Sequence, residues 1–205
     1  MVFSKDDKPT HGHKLHPSYD NLVDLQLLKV CEVIGKPLHN LGVTPNMITL
    51  FGLCLAFVTF YFFIKKQYIV SLIFLWLTYF SDCLDGYMAR SFQQITTLGD
   101  YLDHFRDHFF FLTLICLIFV HIESTIHKCY FIVVIAIYAI LMMIHFGCQE
   151  EVTEYKEAND CLRIFQRFCF GKVPKNTIQY TKWFGAGTFI CVLSLFIVLL
   201  QLSCI

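Results

Sequence analysis

The sequence predicts an all-α fold, a polytopic membrane bundle of five to six transmembrane helices with an amphipathic surface helix ahead of it. Three observations lead there. Of the 205 residues, 56% are apolar and 17% aromatic, and the mean hydropathy is +0.57, which is too apolar for an ordinary soluble domain. Apolar runs of spanning length, about 20 residues for a ~30 Å hydrocarbon core, fall near 46–64, 68–90, 98–121, 128–147 and 183–205. The links at 65–67 and 91–97 are short, so the first three spans should pack antiparallel.

Taken in chain order, residues 1–19 are polar and read as a mobile tail. They show no apolar stretch behind a basic start, so the first span is the expected insertion signal rather than a cleaved leader. Residues 20–36 place Leu22, Leu25, Leu28 and Val33 near one face with Asp24 and Lys29 off it. That pattern fits a helix lying along the membrane, or one packed on the bundle. Pro37 is expected to break this helix, and Thr44-Pro45-Asn46 to open the first span, with Pro45 in the first turn where its missing N–H is harmless. Residues 37–205 then form one transmembrane domain.

Segment 148–182 holds six basic and five acidic residues and has no spanning run; it reads as a loop with one amphipathic helix around LRIFQRFCF. Twelve Lys and Arg lie in the segments that share a side with the N-terminus, against Lys65, Lys66 and Lys128 opposite. The positive-inside rule makes the first side cytoplasmic. The ten cysteines include no C-x-x-C pair and read as small packing residues. Nothing points to nucleic acid as a partner.

Between residues 82 and 107 the chain reads DCLDGYMARSFQQITTLGDYLDHFRD. An acidic side chain at the centre of a spanning helix costs about 2.5–3.5 kcal/mol on insertion scales, so four on two spans imply function. At about 100° per residue, Asp82 and Asp85 lie roughly 60° apart on one helix, and Asp103 and Asp107 roughly 40° apart on the next. The short link brings the pairs together. Four converging carboxylates need cations, and hard oxygen ligands select Mg²⁺, Mn²⁺ or Ca²⁺ over zinc. Four acids suffice for two ions, a recurrent clamp for displacement at phosphorus.

Gly86 and Ala89 are small and lie on or beside the acidic face, and Gly99 does the same on the opposing helix, so a bulky phosphorylated ligand can approach both backbones. Arg90 can offer a fork to phosphate or anchor the helix end in headgroups. Arg106 balances charge or meets an anionic acceptor, and Asp100 falls near the acidic face. Lys156, Arg163 and Arg167 are further candidates for an acceptor phosphate or simply solvated. His104 and His108 have H-x-x-x-H spacing, but Phe105 stands where a zinc protease needs Glu. His145 reads as packing or interfacial.

The run resembles the signature of the CDP-alcohol phosphatidyltransferase family, D-x2-D-G-x2-A-R-x8-G-x3-D-x3-D, through Asp82, Asp85, Gly86, Ala89, Arg90, Gly99, Asp103 and Asp107. Pro45-Asn46-x-x-Thr49 resembles the family's P-N-x-x-T element. The resemblance covers about residues 37–121; beyond it the family core usually has six spans, and the sequence shows five.

What the resemblance implies is transfer of a substituted phosphoryl group, phosphatidyl from CDP-diacylglycerol by preference, to an alcohol hydroxyl with release of CMP. It implies Mg²⁺ or Mn²⁺, two ions, on Asp82, Asp85, Asp103 and Asp107. Asp107 doubles as general base, and Asn46, Thr49, Gly86, Ala89, Arg90 and Gly99 hold the CDP moiety. The partners are a CDP-linked lipid or alcohol, a hydroxyl acceptor and membrane lipid, with a homodimer common in the family. The alternatives are a CDP-choline or CDP-ethanolamine:diacylglycerol phosphotransferase, of which Asp103-His104 is reminiscent, and a non-catalytic family member. A cation pathway built on the same acids is the rival class and predicts flux without CMP.

Overall fold

The computed structural model describes residues 12–153, 166–170 and 174–202. Among the described residues seven α-helices carry the fold: α1 (Leu22–Asn40), α2 (Pro45–Ile64), α3 (Tyr68–Ser91), α4 (Thr97–His121), α5 (Thr125–Val152), α6 (Pro174–Thr181) and α7 (Ala186–Gln201). A 3₁₀ turn, Lys182–Phe184, joins the last two. Among the described residues five stretches are long and apolar enough to cross a membrane: α2, α3, α4, α5 and the run Asn176–Gln201 through α6 and α7. The bundle is all-α and consistent with a polytopic membrane protein, as the hydropathy requires.

Helices α2 and α3 form the tightest hairpin. Thr49, Gly52, Ala56, Thr59 and Phe63 are all buried and recur at i, i+3/i+4 spacing, giving α2 a narrow face that lets the α3 backbone close in. Ser71 Oγ donates to the Thr59 carbonyl (2.9 Å) and Ser81 Oγ to the Thr78 carbonyl (2.7 Å), so the hydroxyls in the seam are satisfied. The turn between the helices places Lys66 at φ 58°. Below the seam, Phe60, Leu75, Phe110, Leu114, Ile118, Phe189, Leu193 and Ile197 fill the core shared by α2, α3, α4 and α7.

The surface helix differs from expectation in two ways. It runs through Pro37 to Asn40, because the proline falls in the last turn and frees only the carbonyl of Val33, a residue 73% exposed. It is also rotated. The buried residues are Leu28, Cys31 and Gly35, packed on Leu84, Tyr87 and Met88 of α3, while Leu22 and Val33 are exposed. At about 100° per residue the centre of that buried stripe falls near Asp24 itself. The carboxylate expected to point outward instead accepts a hydrogen bond from the Tyr79 hydroxyl of α3 (2.5 Å). Asn21 caps α1 through the Val23 N–H (2.9 Å) and donates to the Lys182 carbonyl and Thr188 Oγ1 (2.7 Å each), tying α1 to the start of α7.

Residues 1–11 lie outside the described residues, and with them the first half of the expected tail. Its second half is not free of the bundle: Leu15 and Tyr19 are buried against Cys148, Val152 and Ile178, and Lys14 pairs with Glu150 (2.8 Å). In the same place the reading of the cysteines needs correction. Cys148 and Cys169 form a disulfide, made across 21 residues by the return of the chain onto the end of α5, a pairing that no local spacing announces. The amphipathic helix expected near 162–170 falls largely outside the described residues; 166–168 form a single 3₁₀ turn. Helix α6, not expected, extends the last span at its start.

Burial raises the Asp24 carboxyl to about 7, helped by repulsion from Asp20 and Asp82 and opposed by the Tyr79 hydroxyl. The folded state therefore favours the protonated form. This contribution is present at low pH and lost as pH rises from about 4 to about 7. Asp24→Asn, which keeps an acceptor for Tyr79, should raise the thermal midpoint in detergent at pH 8 and leave it nearly unchanged at pH 5. Equal gains at both pH values would contradict this account. In the α2–α3 seam, a methyl at Gly52 would run into Ser81 Oγ. Gly52→Ala should destabilise by about 1–3 kcal/mol, and Ser81→Ala in the same chain should recover part of that loss in thermal unfolding.

Candidate active site

The short link between α3 and α4 is built to set two helix ends at one depth. Gln93 turns the chain at φ 55°, the Gln94 N–H returns to the Ala89 carbonyl (2.9 Å), and Thr96 caps α4 through the Gly99 N–H (3.0 Å). The last turns of α3 and the first turns of α4 reach one site through their side chains; contrary to the antiparallel packing expected from the short link, the α4 backbone packs mainly on α2 rather than on α3. The predicted pairs Asp82/Asp85 and Asp103/Asp107 face each other across that junction.

Between them is Arg106. Its Nη1 donates to Asp85 Oδ2 (2.6 Å), its Nε to Asp107 Oδ1 (3.2 Å), and its Nη2 to Asp82 Oδ1, Asp103 Oδ1 (2.5 Å) and Asp107 Oδ1 (2.9 Å). The residue is 1% exposed. Bonds of this kind, with both partners charged, are about twice as strong as neutral ones. Asp85 is buried and also accepts from Thr49 Oγ1 of α2 (2.8 Å), which ties the P-N-x-x-T element to the acid cluster. The side chains of Asp82, Asp103 and Asp107 keep partial exposure, 26%, 33% and 33%, and of these Asp103 lines the cleft.

Oxygens of Asp82, Asp85 and Asp103 lie within 4.8 Å of one another, a spacing and a donor set that suit one hard divalent cation. Asp107 lies outside that trio and is engaged by Arg106. The residues present fit an ion on the trio.

A cleft of roughly 590 Å³, its open mouth included, opens directly above. Its walls are Pro45, Asn46 and Thr49 of α2, Asp85, Gly86, Ala89 and Arg90 of α3, and Gly99, Asp100 and Asp103 of α4, closed by Gln94, Ile95 and Thr96 of the link. Every small or polar residue singled out in the sequence for nucleotide contact lines this one space. Gly99 is required there: a Cβ would stand 2.6 Å from Asn46 Oδ1 and 2.9 Å from Thr96 Oγ1. Arg90 folds back over Gly86, whose Cβ would lie 3.2 Å from the guanidinium, and donates from Nε to the Gly12 carbonyl (2.8 Å).

The remaining candidates separate. His104 Nε2 approaches Asp100 Oδ1 (3.4 Å), while exposed His108 donates to the His104 carbonyl (2.7 Å), so the two imidazoles do not converge. His145 is buried beside Thr181 (3.4 Å), a packing position. Arg167 is exposed in the 3₁₀ turn, and Lys156 and Arg163 lie outside the described residues. Sequence reasoning missed the link residues of the cleft and the central place of Arg106. The Thr96-x-x-Gly99 capping pattern was a usable signal for the first. For the second, helical angles alone put Arg106 off the acidic stripe, and only its long side chain brings it back.

Comparison with known proteins bears on the family of the chain. The family model described as CDP-alcohol phosphatidyltransferase matches residues 42–204. An archaetidylinositol phosphate synthase of Pyrococcus horikoshii is 38% identical over 72 residues, 35% of this chain and 38% of that protein. A CDP-diacylglycerol–glycerol-3-phosphate 3-phosphatidyltransferase of Aquifex aeolicus is 35% identical over 66 residues, 32% of this chain and 37% of that protein. These matches span less than half the length of either relative. No solved structure gives a significant match. With the motif, the cleft above it and a family match over most of its length, the chain belongs to the CDP-alcohol phosphatidyltransferase family.

Proposed function

We propose that the chain transfers a phosphatidyl group from CDP-diacylglycerol to an alcohol hydroxyl, releasing CMP in a divalent-metal-dependent reaction. The observation that carries the reading is the single cleft in which Asn46, Thr49, Gly86, Ala89, Arg90 and Gly99 stand over the Asp cluster. A nucleotide held in the cleft by Asn46, Thr49 and the close backbones of Gly86 and Gly99 has its diphosphate directed at Asp82, Asp85 and Asp103. Those three would hold Mg²⁺ or Mn²⁺, whose charge makes the diphosphate bindable beside carboxylates and CMP a better leaving group.

Asp107 is the general base. Its partly exposed carboxylate takes the acceptor's proton as the oxygen–phosphorus bond forms and the bond to CMP breaks. Arg106 holds that carboxylate in place through Oδ1. Arg90 at the mouth is set for a phosphate oxygen. Of the relatives' printed names, CDP-diacylglycerol–glycerol-3-phosphate 3-phosphatidyltransferase supports a CDP-diacylglycerol donor, and with archaetidylinositol phosphate synthase it supports an acceptor that carries its own phosphate. The excess of Lys and Arg around the end that bears the cleft supports a multi-pass protein with its site toward the cytoplasm.

The test is CMP release by the purified chain in mixed micelles with Mg²⁺ or Mn²⁺. CDP-diacylglycerol is paired with glycerol 3-phosphate, inositol phosphate, inositol or serine, and CDP-choline or CDP-ethanolamine with diacylglycerol. One CDP-diacylglycerol pair should release CMP and chelation should stop it. Release from CDP-choline alone would replace the donor, and no release from folded protein would sink the reading. Asp107→Asn should lower the rate about 10²–10⁴-fold, with little change in CDP affinity. Gly99→Ala, which pushes Asn46 and Thr96 out of place, should instead weaken CDP binding as read by calorimetry.

A further inference from the structure

The acid cluster presents its carboxylates to a cation in two ways, and Arg106 already pairs with every member of both sets. One set is bounded by oxygens of Asp82, Asp85 and Asp103 within 4.8 Å of one another. The other is defined by a nitrogen: Asp82, Asp103 and Asp107 all turn an oxygen to Nη2 of Arg106. Three carboxylates from two helices converge on that single atom, as they would on an ion. We propose that Arg106 is a built-in cation that takes the place of a second divalent ion, so that the centre loads one Mg²⁺ or Mn²⁺, on Asp82, Asp85 and Asp103. This rests on the metal-dependent reading above.

Nη2 and a metal ion cannot share the second position. Oxygen-bound Mg²⁺ needs its ligands at about 2.0–2.1 Å, and the same oxygens are already drawn to the guanidinium. Nor is the side chain free to leave. Arg106 is 1% exposed, all three of its nitrogens are engaged, and its stem passes Gly52, where a Cβ would lie 3.5 Å from Cδ. The guanidinium does not lose its proton in a protein, so the charge is permanent. Its bonds use one oxygen each of Asp82, Asp85 and Asp103, leaving the other oxygen of each for an ion.

The arrangement also assigns Asp107 its part. A carboxylate clamped by a metal is a poor proton acceptor, whereas Asp107 meets Arg106 through Oδ1 only and keeps Oδ2 for the acceptor hydroxyl. Arg106 is thus a positioning residue, acting through Asp107 and through the charge it supplies.

Metal stoichiometry tests this without any turnover. The full chain, purified metal-free in detergent, is titrated with Mn²⁺, and free ion is counted by electron paramagnetic resonance. Asp82→Asn serves as the blank for ions held elsewhere, since Asp82 borders both positions. The expected result is one Mn²⁺ per chain above the blank, unchanged in Asp107→Asn, and two with spin coupling in Arg106→Ala. The wild-type count decides even where Arg106→Ala fails to fold. Two ions above the blank, or a coupled Mn²⁺ pair when CDP is added to the wild type, would overturn the role of Arg106. No ion above the blank would instead overturn the metal-dependent reading on which it stands.

Discussion

The constraint on which this structure depends is charge balance inside an apolar bundle. Five carboxylates lie on the two spans within a stretch of 26 residues, and one arginine of the same stretch reaches four of them. Removing one member of a buried ion pair costs about 3–5 kcal/mol, because it strands the other charge. Here a single buried side chain has four partners, of which Asp85 is itself buried. Backbone contact between α3 and α4 is slight, so what joins them at the site is Arg106, while Phe110 and Leu114 of α4 sit further along in the core shared with the other helices. A chain lacking either half of this balance would have to draw water or ions into the bundle to keep its helices together.

The small residues of α2 serve the same end. Gly52 lets Ser81 and the stem of Arg106 approach, and Thr49, one turn nearer the cleft, spends its hydroxyl on Asp85. Packing is continuous along this helix: the seam that closes on α3 below becomes the wall of the cleft above. Pro45 and the Thr44 cap start α2 at the level of Gly99, which is why Asn46 and Gly99 meet across the opening.

The sequence carried most of this plainly. The five spans follow from run length alone, and the cleft residues from motif spacing, because a helix converts spacing into direction. What failed did so for definable reasons. Leu22, Leu25, Leu28 and Val33 suggested one face of α1, but a partner hydroxyl on Tyr79 makes an inward Asp24 affordable, and the face is chosen by the neighbour rather than by the helix. Pro37 reads as a breaker only if the helix must continue well past it. The Cys148–Cys169 pair depends on a chain reversal with no local pattern, and Arg106 on side-chain reach, which a helical wheel ignores.

Helix α3 emerges as a wall shared by two acidic settings. Tyr79 faces Asp24 of α1 on one side, and Asp82 and Asp85 face α4 on the other. They are not independent, since Asp82 is among the charges that push the Asp24 carboxyl upward. A negative charge on Asp24 is least tolerable when Asp82 is uncompensated, and Arg106 is what compensates it. The charge of Asp82 thus helps keep the proton on Asp24, and any cation that neutralises Asp82 works against it. Helix α1 therefore carries a carboxyl within electrostatic reach of Asp82 across α3, although it contributes no atom to the cleft itself.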